Sequence, residues 1–516
     1  MPEQTKRYRQ RWIALAFMGV ALLVISLDNS VLNLALPSIA GDLGSSASEL
    51  QWIIDAYVLA FAGVLLTMGY LGDRLGRKPT LTVGLILFAL FSLGAALSKS
   101  TMMLIVMRGL MGISGAMITP ATLSILTATF RDSKERAQAI AIWAAVFSLG
   151  MGIGPLVGGW LLDSYHWSSV FYINIPVIAV GIIGMGIFIG NSRAENPRKI
   201  DFLGTILSIA GLFALVYAII KAGMDGWTDA YVLYAFGAAA ILLTVFFIWE
   251  LKSSNAMLPL HFFKNMSFTG ANVAVTLVFF GLMGSFFFMG QFLQSVQGYT
   301  PLEAGVRLLP MAMVSFFSAM ISARVAGLIG TKYTVGLGIL VTGIGFFYFA
   351  YIAAVDVSYG KIVIAMCLSS LGMGFTMSPA TNSVMGAIPV SQSGVGSAMN
   401  NTTRQVGAAL GVAVLGTIGN ATYLTEISAV QWPAQLPAQA LEAIKGSIQA
   451  AHIAAHNIPI PQLSQMIIDR SSLAFTAGAR EALLIGAFIM VASSIITLII
   501  LPNRIKPPDL TDGIKK

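Results

Sequence analysis

Long apolar segments separated by short polar loops dominate this sequence. A membrane-spanning helix needs about 20 apolar residues. Hydrophobic residues make up 56% of the chain and charged residues only 10%, whereas soluble proteins carry about 25% charged residues. The pattern predicts an all-α polytopic membrane protein with fourteen transmembrane helices, at residues 12–36, 51–71, 80–98, 102–126, 137–161, 168–190, 202–221, 230–250, 268–293, 305–328, 333–354, 360–385, 402–420 and 481–501.

Lysines and arginines concentrate in alternate loops, beginning with the segment that precedes the first helix. Because cytoplasmic loops are enriched in these cations, we expect a multi-pass protein of the bacterial cytoplasmic (plasma) membrane with both termini in the cytoplasm. The net charge of +8 then reflects membrane topology, and no nucleic-acid partner is expected. The apolar run from Trp12 is too long for the core of a signal peptide and is predicted to be the first helix.

The segments group as six plus two plus six helices. We predict a cytoplasmic N-terminus (1–11), an N-terminal six-helix bundle (12–190), a linker with two additional helices (191–267), a C-terminal six-helix bundle (268–501) and a cytoplasmic tail (502–516). An extracellular loop (421–480) separates helices 13 and 14 and includes a helical stretch at 439–456. His452 and His456 in that stretch have metal-ligand spacing, but no acid or third ligand accompanies them. We therefore predict surface histidines and no metal site.

Charged residues inside predicted spans are costly and usually functional. Asp28 and Arg108 lie at roughly 12 Å and 9 Å from the outer ends of their helices, at 1.5 Å per residue. An acid and an arginine at similar depth neutralise each other, and a proton or a cationic substrate competes with that pairing. These two residues are candidates for proton coupling, with a purely structural ion pair as the alternative. Asp55, roughly 6 Å from its helix end, either joins them or faces the outer water.

The second half of the chain has no equivalent intramembrane acid and offers neutral polar, aromatic and methionine side chains instead. Methionine is flexible and suits a pocket for varied apolar molecules. Lipid-facing or packing roles are the alternative for these residues. The candidates for a substrate pocket are Phe286, Met289, Gln291, Met311 and Met377.

Helix 5 carries glycines spaced by four residues, namely Gly150, Gly154 and Gly158, with Pro155 and Gly159 beside them. Such spacing makes a smooth face that another helix can approach closely, and the proline removes a backbone donor and can kink the helix. We expect a sliding surface in the outer half of this helix.

A short loop between helices 2 and 3, residues 69–81, is rich in glycine and charge. Its key positions are Gly69, Asp73, Arg74, Gly76, Arg77 and Lys78. The loop resembles the motif G-x-L-a-D-r-x-G-r-k-x-x-l between helices 2 and 3 of the major facilitator superfamily. The helix 5 run resembles the antiporter motif g-x-x-x-G-P-x-x-G-G of its drug exporters, and the entrance to helix 13, with Asn401, Arg404 and Gln405, resembles the same group. The chain is thus similar to the fourteen-helix drug/proton antiporter family, which includes EmrB- and QacA-type exporters.

The resemblance implies a major facilitator fold in which Asp28 and Arg108 are the coupling pair. It implies that the 69–81 loop forms a cytoplasmic latch that holds the outward-facing state, and that Gly154, Pro155 and Gly158 bias the protein toward exchange. Some relatives carry further acids in helices 10 and 13. Their absence here argues against divalent cations as substrates.

These observations predict a proton-coupled antiporter that exports hydrophobic, cationic or neutral drugs and antiseptics by alternating access. Its partners would be protons, the lipid bilayer and a small hydrophobic or amphipathic substrate, and it would act as a monomer. No cofactor is expected besides the proton gradient, since the chain has no G-x-x-x-x-G-K-[ST] nucleotide loop. It also has no cluster of catalytic residues, so we do not expect an enzyme. The alternatives are an exporter of lipid or another cell-envelope component, and a membrane sensor without transport.

Overall fold

The computed structural model describes residues 10–45, 47–192, 201–253, 256, 258–433 and 436–505. Within these ranges, 14 helices are long and apolar enough to cross a membrane, which confirms the predicted fold class. They are α1 (Arg11–Leu43), α2 (Ala47–Leu75), α3 (Arg77–Ala96), α4 (Thr101–Thr129), α5 (Ser133–Ser164), α6 (Ser169–Phe188), α7 (Phe202–Asp225), α8 (Ala230–Lys252), α9 (Met266–Gln291), α10 (Pro301–Ile329), α11 (Thr331–Ile352), α12 (Tyr359–Gly386), α13 (Ser393–Ser428) and α14 (Pro461–Ile500).

The two helices that flank the outer loop are longer than hydropathy predicts. Helix α13 begins before the predicted 402 and ends after 420, and α14 begins 20 residues before the predicted 481. Hydropathy detects only the apolar part of a helix, and the early turns of α14 carry Asp469 and Arg470. The single helix expected at 439–456 is two helices, Ala438–Gly446 and Ile448–His456, with the Ser447 side chain capping the second.

The membrane helices form two bundles with a pair of helices beside them. Helices α1–α6 pack together, as do α9–α14, and the bundles meet along two main seams, α2 against α13 and α5 against α10. Helix α7 packs against both α2 and α13, whereas α8 packs mainly on α7. The inserted pair therefore contacts both bundles mainly through α7.

The described chain begins and ends on the same side of the bundles. Arg11 at the start of α1 pairs with Glu135 at the start of α5 at 2.6 Å. Gly386 at the end of α12 lies beside both the Arg136 guanidinium and the Ile505 side chain. This side carries the cation-rich loops, and its assignment to the cytoplasm stays a prediction.

The two loop helices pack onto the ends of the C-terminal bundle that lie opposite the chain ends. The Tyr423 hydroxyl donates to a carbonyl of the first loop helix at 2.7 Å, and the Gln449 amide donates to Gln291 at 2.6 Å. Burial lowers the pKa of His452, and the neighbouring His456 lowers it further. The neutral form of His452 is therefore favoured. His452 is half-buried in the packing of the loop, whereas His456 is exposed.

Candidate functional site

A buried ion pair joins two helices of the N-terminal bundle. The Arg108 Nη1 on α4 donates to the Asp28 Oδ2 on α1 at 2.5 Å, and the two side chains are 1% and 2% exposed. The structure thus brings together the acid and the arginine that the sequence placed at similar depth. Breaking such a pair by removing one partner leaves an uncompensated buried charge. The role of these residues in proton coupling stays a prediction.

The second oxygen of Asp28 is held by residues that sequence reasoning missed. The Asn174 Nδ2 on α6 donates to Asp28 Oδ1 at 3.1 Å and to the Ser92 Oγ on α3 at 3.0 Å. Ser92 in turn donates to the Phe171 carbonyl at 2.9 Å. An amide in an otherwise apolar helix was the available signal, because buried polar groups in a span need partners. The carboxylate is therefore bound directly by residues of α4 and α6, and α3 holds the α6 amide in place.

Arg108 has further contacts that do not depend on Asp28. Its Nε donates to the Ile53 carbonyl at 3.3 Å, and its guanidinium carbon lies 4.5 Å from the centre of the Tyr57 ring. Both groups belong to α2. A carbonyl and an aromatic face stabilise a cation, so the guanidinium keeps favourable contacts when Asp28 is neutral.

Asp55 lies apart from this pair. Both of its carboxylate oxygens accept from Gln51 Nε2 on the same helix, at 3.1 and 3.2 Å. It lines a small cleft between α2 and α7 together with Trp52, Tyr217 and Lys221. The inserted helix thus contributes to its surroundings, and its predicted part in proton coupling remains untested.

The segment predicted as a loop at 69–81 forms the end of α2, Gly76 and the start of α3, and it links the two bundles. Asp73 Oδ1 accepts from Arg77 Nε at 2.9 Å and Nη2 at 2.8 Å, and Asp73 Oδ2 accepts from the backbone N–H groups of Gly394 at 2.7 Å and Val395 at 3.3 Å. Arg77 also donates to the Val390 carbonyl at 2.5 Å. The carboxylate therefore sits at the N-terminus of α13, where the helix dipole favours negative charge.

The other loop residues divide between the seam and the N-terminal bundle. Gly69 lies so close to Gly394 that a Cβ would overlap its carbonyl oxygen. Gly76 adopts φ +116°, a left-handed backbone that favours glycine. Lys78 donates to two carbonyls near the end of α6, at 2.7 and 3.0 Å, and Arg74 is half-buried in the last turn of α2. Gly69, Asp73 and Arg77 therefore span the seam, while Lys78 anchors the loop within its own bundle.

The glycine row of α5 is the contact face for α1. A Cβ on Gly150 would overlap the Ser26 hydroxyl, and one on Gly154 would overlap the Ser30 hydroxyl. Gly158 continues the face against Val31. The partner of the predicted sliding surface is thus the helix that carries Asp28.

The remaining motif residues of α5 face the other bundle. Pro155 contacts Gly305 and Gly159 contacts Leu302, both on α10. The Ser315 hydroxyl of α10 donates to Ser148 at 3.1 Å. Helix α5 therefore joins α1, the helix of Asp28, on one face to the C-terminal bundle on another.

The predicted pocket residues do not all meet. Phe286, Met289 and Met311 line one cavity of the C-terminal bundle, with a volume of about 20 Å³, enough for about one water molecule. Gln291 lies at the outer end of α9, where it accepts from the outer loop, and Met377 is buried in α12. As a substrate pocket this cavity stays a prediction.

The helix 13 residues differ in their surroundings. The Asn401 amide donates to the Ser397 carbonyl of its own helix at 2.8 Å, and Gln405 is half-buried. Arg404 is 5% exposed and donates through Nη2 to the Thr381 hydroxyl at 2.9 Å. No carboxylate of the described chain lies within 4.0 Å of its guanidinium.

Comparison with known proteins assigns this architecture to a family. The sequence profile of the Major Facilitator Superfamily matches residues 18–412. The multidrug efflux pump LfrA of Mycolicibacterium smegmatis is 33% identical over 96% of this chain and 97% of its own length. The methyl viologen resistance protein SmvA of Salmonella typhimurium is 31% identical over 90% of this chain and 93% of its own. The chain belongs to the major facilitator superfamily, whose members are transporters rather than enzymes, as predicted.

Solved structures agree with this fold. The proton:xylose symporter XylE superposes with a TM-score of 0.65 over 98% of this chain and 99% of its own, at 11% identity. The human organic anion transporter MFSD10 gives a TM-score of 0.60 over 96% of this chain and 100% of its own, at 15% identity. At these identities the likeness concerns the fold alone.

Proposed function

We propose that this protein is a proton-coupled antiporter that exports hydrophobic or amphipathic compounds, cationic or neutral, by alternating access. It would act as a monomer, with both termini in the cytoplasm and the proton gradient as its energy source. The similarity to multidrug and methyl viologen resistance proteins supports export of small compounds. The observation that carries the coupling mechanism is the buried pair of Asp28 and Arg108.

In the proposed mechanism, a proton that enters from outside binds Asp28 and abolishes its charge. Arg108 then relies on the Ile53 carbonyl and the Tyr57 ring, which lie on α2 rather than α1. The force that draws α1 toward α4 is thereby weakened, while the contacts of α4 with α2 persist. Because α1 packs on the glycine face of α5 and α5 contacts the other bundle, a shift of α1 is transmitted to the seam between the bundles.

The test is ethidium efflux from proteoliposomes under an imposed pH gradient, with wild type beside Asp28→Asn. Asp163→Asn is the matched control, because Asp163 is an exposed acid at the outer end of α5. We expect gradient-dependent efflux that is lost in Asp28→Asn and kept in Asp163→Asn. Efflux that persists in Asp28→Asn would show that protons are coupled through another residue, and Asp55 would be the next candidate.

Loss of activity must be separated from loss of fold, since removing one partner of a buried pair costs about 3–5 kcal/mol. Thermal unfolding in detergent and gel filtration report the fold. Proton release on ethidium addition to the purified protein reports the coupling without a gradient, and it should occur in wild type and be absent from a folded Asp28→Asn variant. A folded wild type that moves no cationic dye would favour lipid or neutral cargo instead.

A further inference from the structure

Helix α13 carries a buried arginine inside a candidate membrane span. Arg404 lies about 16 Å from the start of α13 at Ser393, at 1.5 Å per residue. Its charge has no carboxylate partner among the residues the structure describes, and its Nε has no hydrogen-bond partner there. A buried charge without a counterion is costly, so this arginine needs an explanation beyond packing.

Aromatic rings from both bundles cover the guanidinium. Its central carbon lies 4.9 Å from the ring of Trp143 on α5 and 5.4 Å from the ring of Phe279 on α9. Trp143 lies about 15 Å from the start of its own helix at Ser133, by the same rise, and its indole N–H donates to the Thr122 hydroxyl at 3.2 Å. The indole therefore belongs to the N-terminal bundle, whereas Arg404, Phe279 and Thr381 belong to the C-terminal bundle.

Alternating access separates these groups. In transporters of this architecture the two halves rock against each other around a site near the bilayer midplane. When α5 moves away from α13, Trp143 leaves with its bundle, while Phe279 and the Thr381 hydroxyl stay beside the guanidinium. The uncovered surface is then a planar cation with a free Nε–H, next to an aromatic ring.

We infer that Arg404 is a specificity-determining residue whose guanidinium binds substrate in the place that Trp143 occupies in the closed seam. The matching ligand is a flat aromatic molecule that stacks on the guanidinium and accepts a hydrogen bond from Nε through a carbonyl or carboxylate oxygen. Guanidinium groups stack on aromatic faces and donate to such oxygens. A quaternary ammonium group is repelled by the positive charge of the guanidinium and forms no hydrogen bond with it. The inference rests on the proposed transport function and extends its substrate class to flat aromatic compounds that carry a carbonyl or carboxylate group.

The test compares three naphthalenes of similar size by equilibrium binding to the full-length protein in lipid nanodiscs without a pH gradient. They are 2-naphthoate, 2-naphthamide and 2-naphthyltrimethylammonium. Partition into lipid is the same for every variant, so the comparison is made between variants. Arg404→Gln removes the charge and should lower the affinity for 2-naphthoate at least about tenfold, which is the range of a charge-assisted hydrogen bond. Its affinity for 2-naphthyltrimethylammonium should be unchanged or higher. Thr381→Val keeps the guanidinium and should preserve the wild-type order of the three ligands.

A merely structural role gives a different result. If Arg404 only maintains the seam, Arg404→Gln will weaken all three ligands by the same factor, and the inference is then wrong. Should that variant not fold, Arg404→Lys keeps the charge but loses the planar fork, and it should weaken naphthoate and naphthamide relative to the ammonium compound. Equal affinities in wild type and Arg404→Lys would also overturn the inference.

Removing the Trp143 ring should change the affinity for 2-naphthoate in the opposite direction to the Arg404 variants. Trp143→Leu should tighten naphthoate binding, because the ligand no longer displaces the indole, whereas a packing role predicts weaker binding. These measurements need no gradient, so they are independent of Asp28. Ethidium efflux that depends on Asp28, combined with unchanged ligand discrimination in the Arg404 variants, would leave the proposed function standing and refute this inference.

Discussion

The link between Asp73 and α13 should control how often the bundles separate on the side that carries the chain ends. Asp73→Asn removes a charge that accepts two hydrogen bonds from α13 and holds Arg77, which is itself 2% exposed. A hydrogen bond to a charged group is worth about 1.5–3 kcal/mol and a neutral one about 1 kcal/mol. Asparagine keeps a neutral acceptor, so the closed state should lose about 1–3 kcal/mol. That corresponds to about 5–150-fold in the open-to-closed ratio.

Double electron–electron resonance measures this ratio. Spin labels would be attached at positions 134 and 333. Lys134 on α5 and Tyr333 on α11 are both exposed and lie on the side that carries the chain ends, and they belong to different bundles. Cys367, the single cysteine of the chain, would first be replaced by serine. We expect a longer-distance population in Asp73→Asn and an unchanged distribution in the control Asp132→Asn, because Asp132 caps α5 within its own bundle. An unchanged distribution in a folded Asp73→Asn variant would refute the reasoning.

Two further substitutions probe the N-terminal bundle. Asn174→Leu should lower unfolding stability by about 1–3 kcal/mol, since it leaves buried acceptors unpaired. The loss should be smaller in an Asp28→Asn background, and additive losses in a double-mutant cycle would contradict the contact. Gly154→Val should force α1 from α5 and abolish efflux with about 1–3 kcal/mol of destabilisation from overpacking. Gly237→Val on α8 is its control, because a Cβ there meets no neighbour, and equal effects of the two valines would refute the close-packing argument.

Hydropathy and loop charge were enough to predict fourteen helices and the six plus two plus six order. Helical rise was enough to match the depths of Asp28 and Arg108. Lateral position could not be obtained in this way, because every span is apolar and nothing in its pattern says which neighbours it meets. The site of α7 between α2 and α13 is therefore new information, as is the separation of Asp55 from the buried pair. Asn174 was visible as an amide in an apolar helix, but its partner Ser92 is 82 residues away along the chain.

The inserted helix changes which contacts must break during transport. Near the chain-end side, α2 and α13 meet directly through Gly69 and Gly394. Helix α7 lies against both, from the apolar cluster that it shares with them near the chain ends to the opposite side. Its Tyr217 ring stacks on Trp52 of α2 with centres 6.4 Å apart, and Trp227, just beyond its end, donates to Thr417 of α13 at 3.2 Å. Separation of the bundles on that side must therefore release α7 from one of its two partners.

The buried charges respond differently to such motion. Asp73 reaches across the seam, so rocking the bundles breaks its bonds to α13 directly. Asp28 and Arg108 lie on α1 and α4 of one bundle, and their other partners belong to that bundle as well. A rigid-body rotation leaves these distances unchanged, so only a chemical event, a proton or a competing ligand, alters the pair. In the proposed mechanism, Asp73 is thus the charge that responds to conformation and Asp28 the charge that responds to protons, and α5, which touches α1 and α10 on different faces, connects the two.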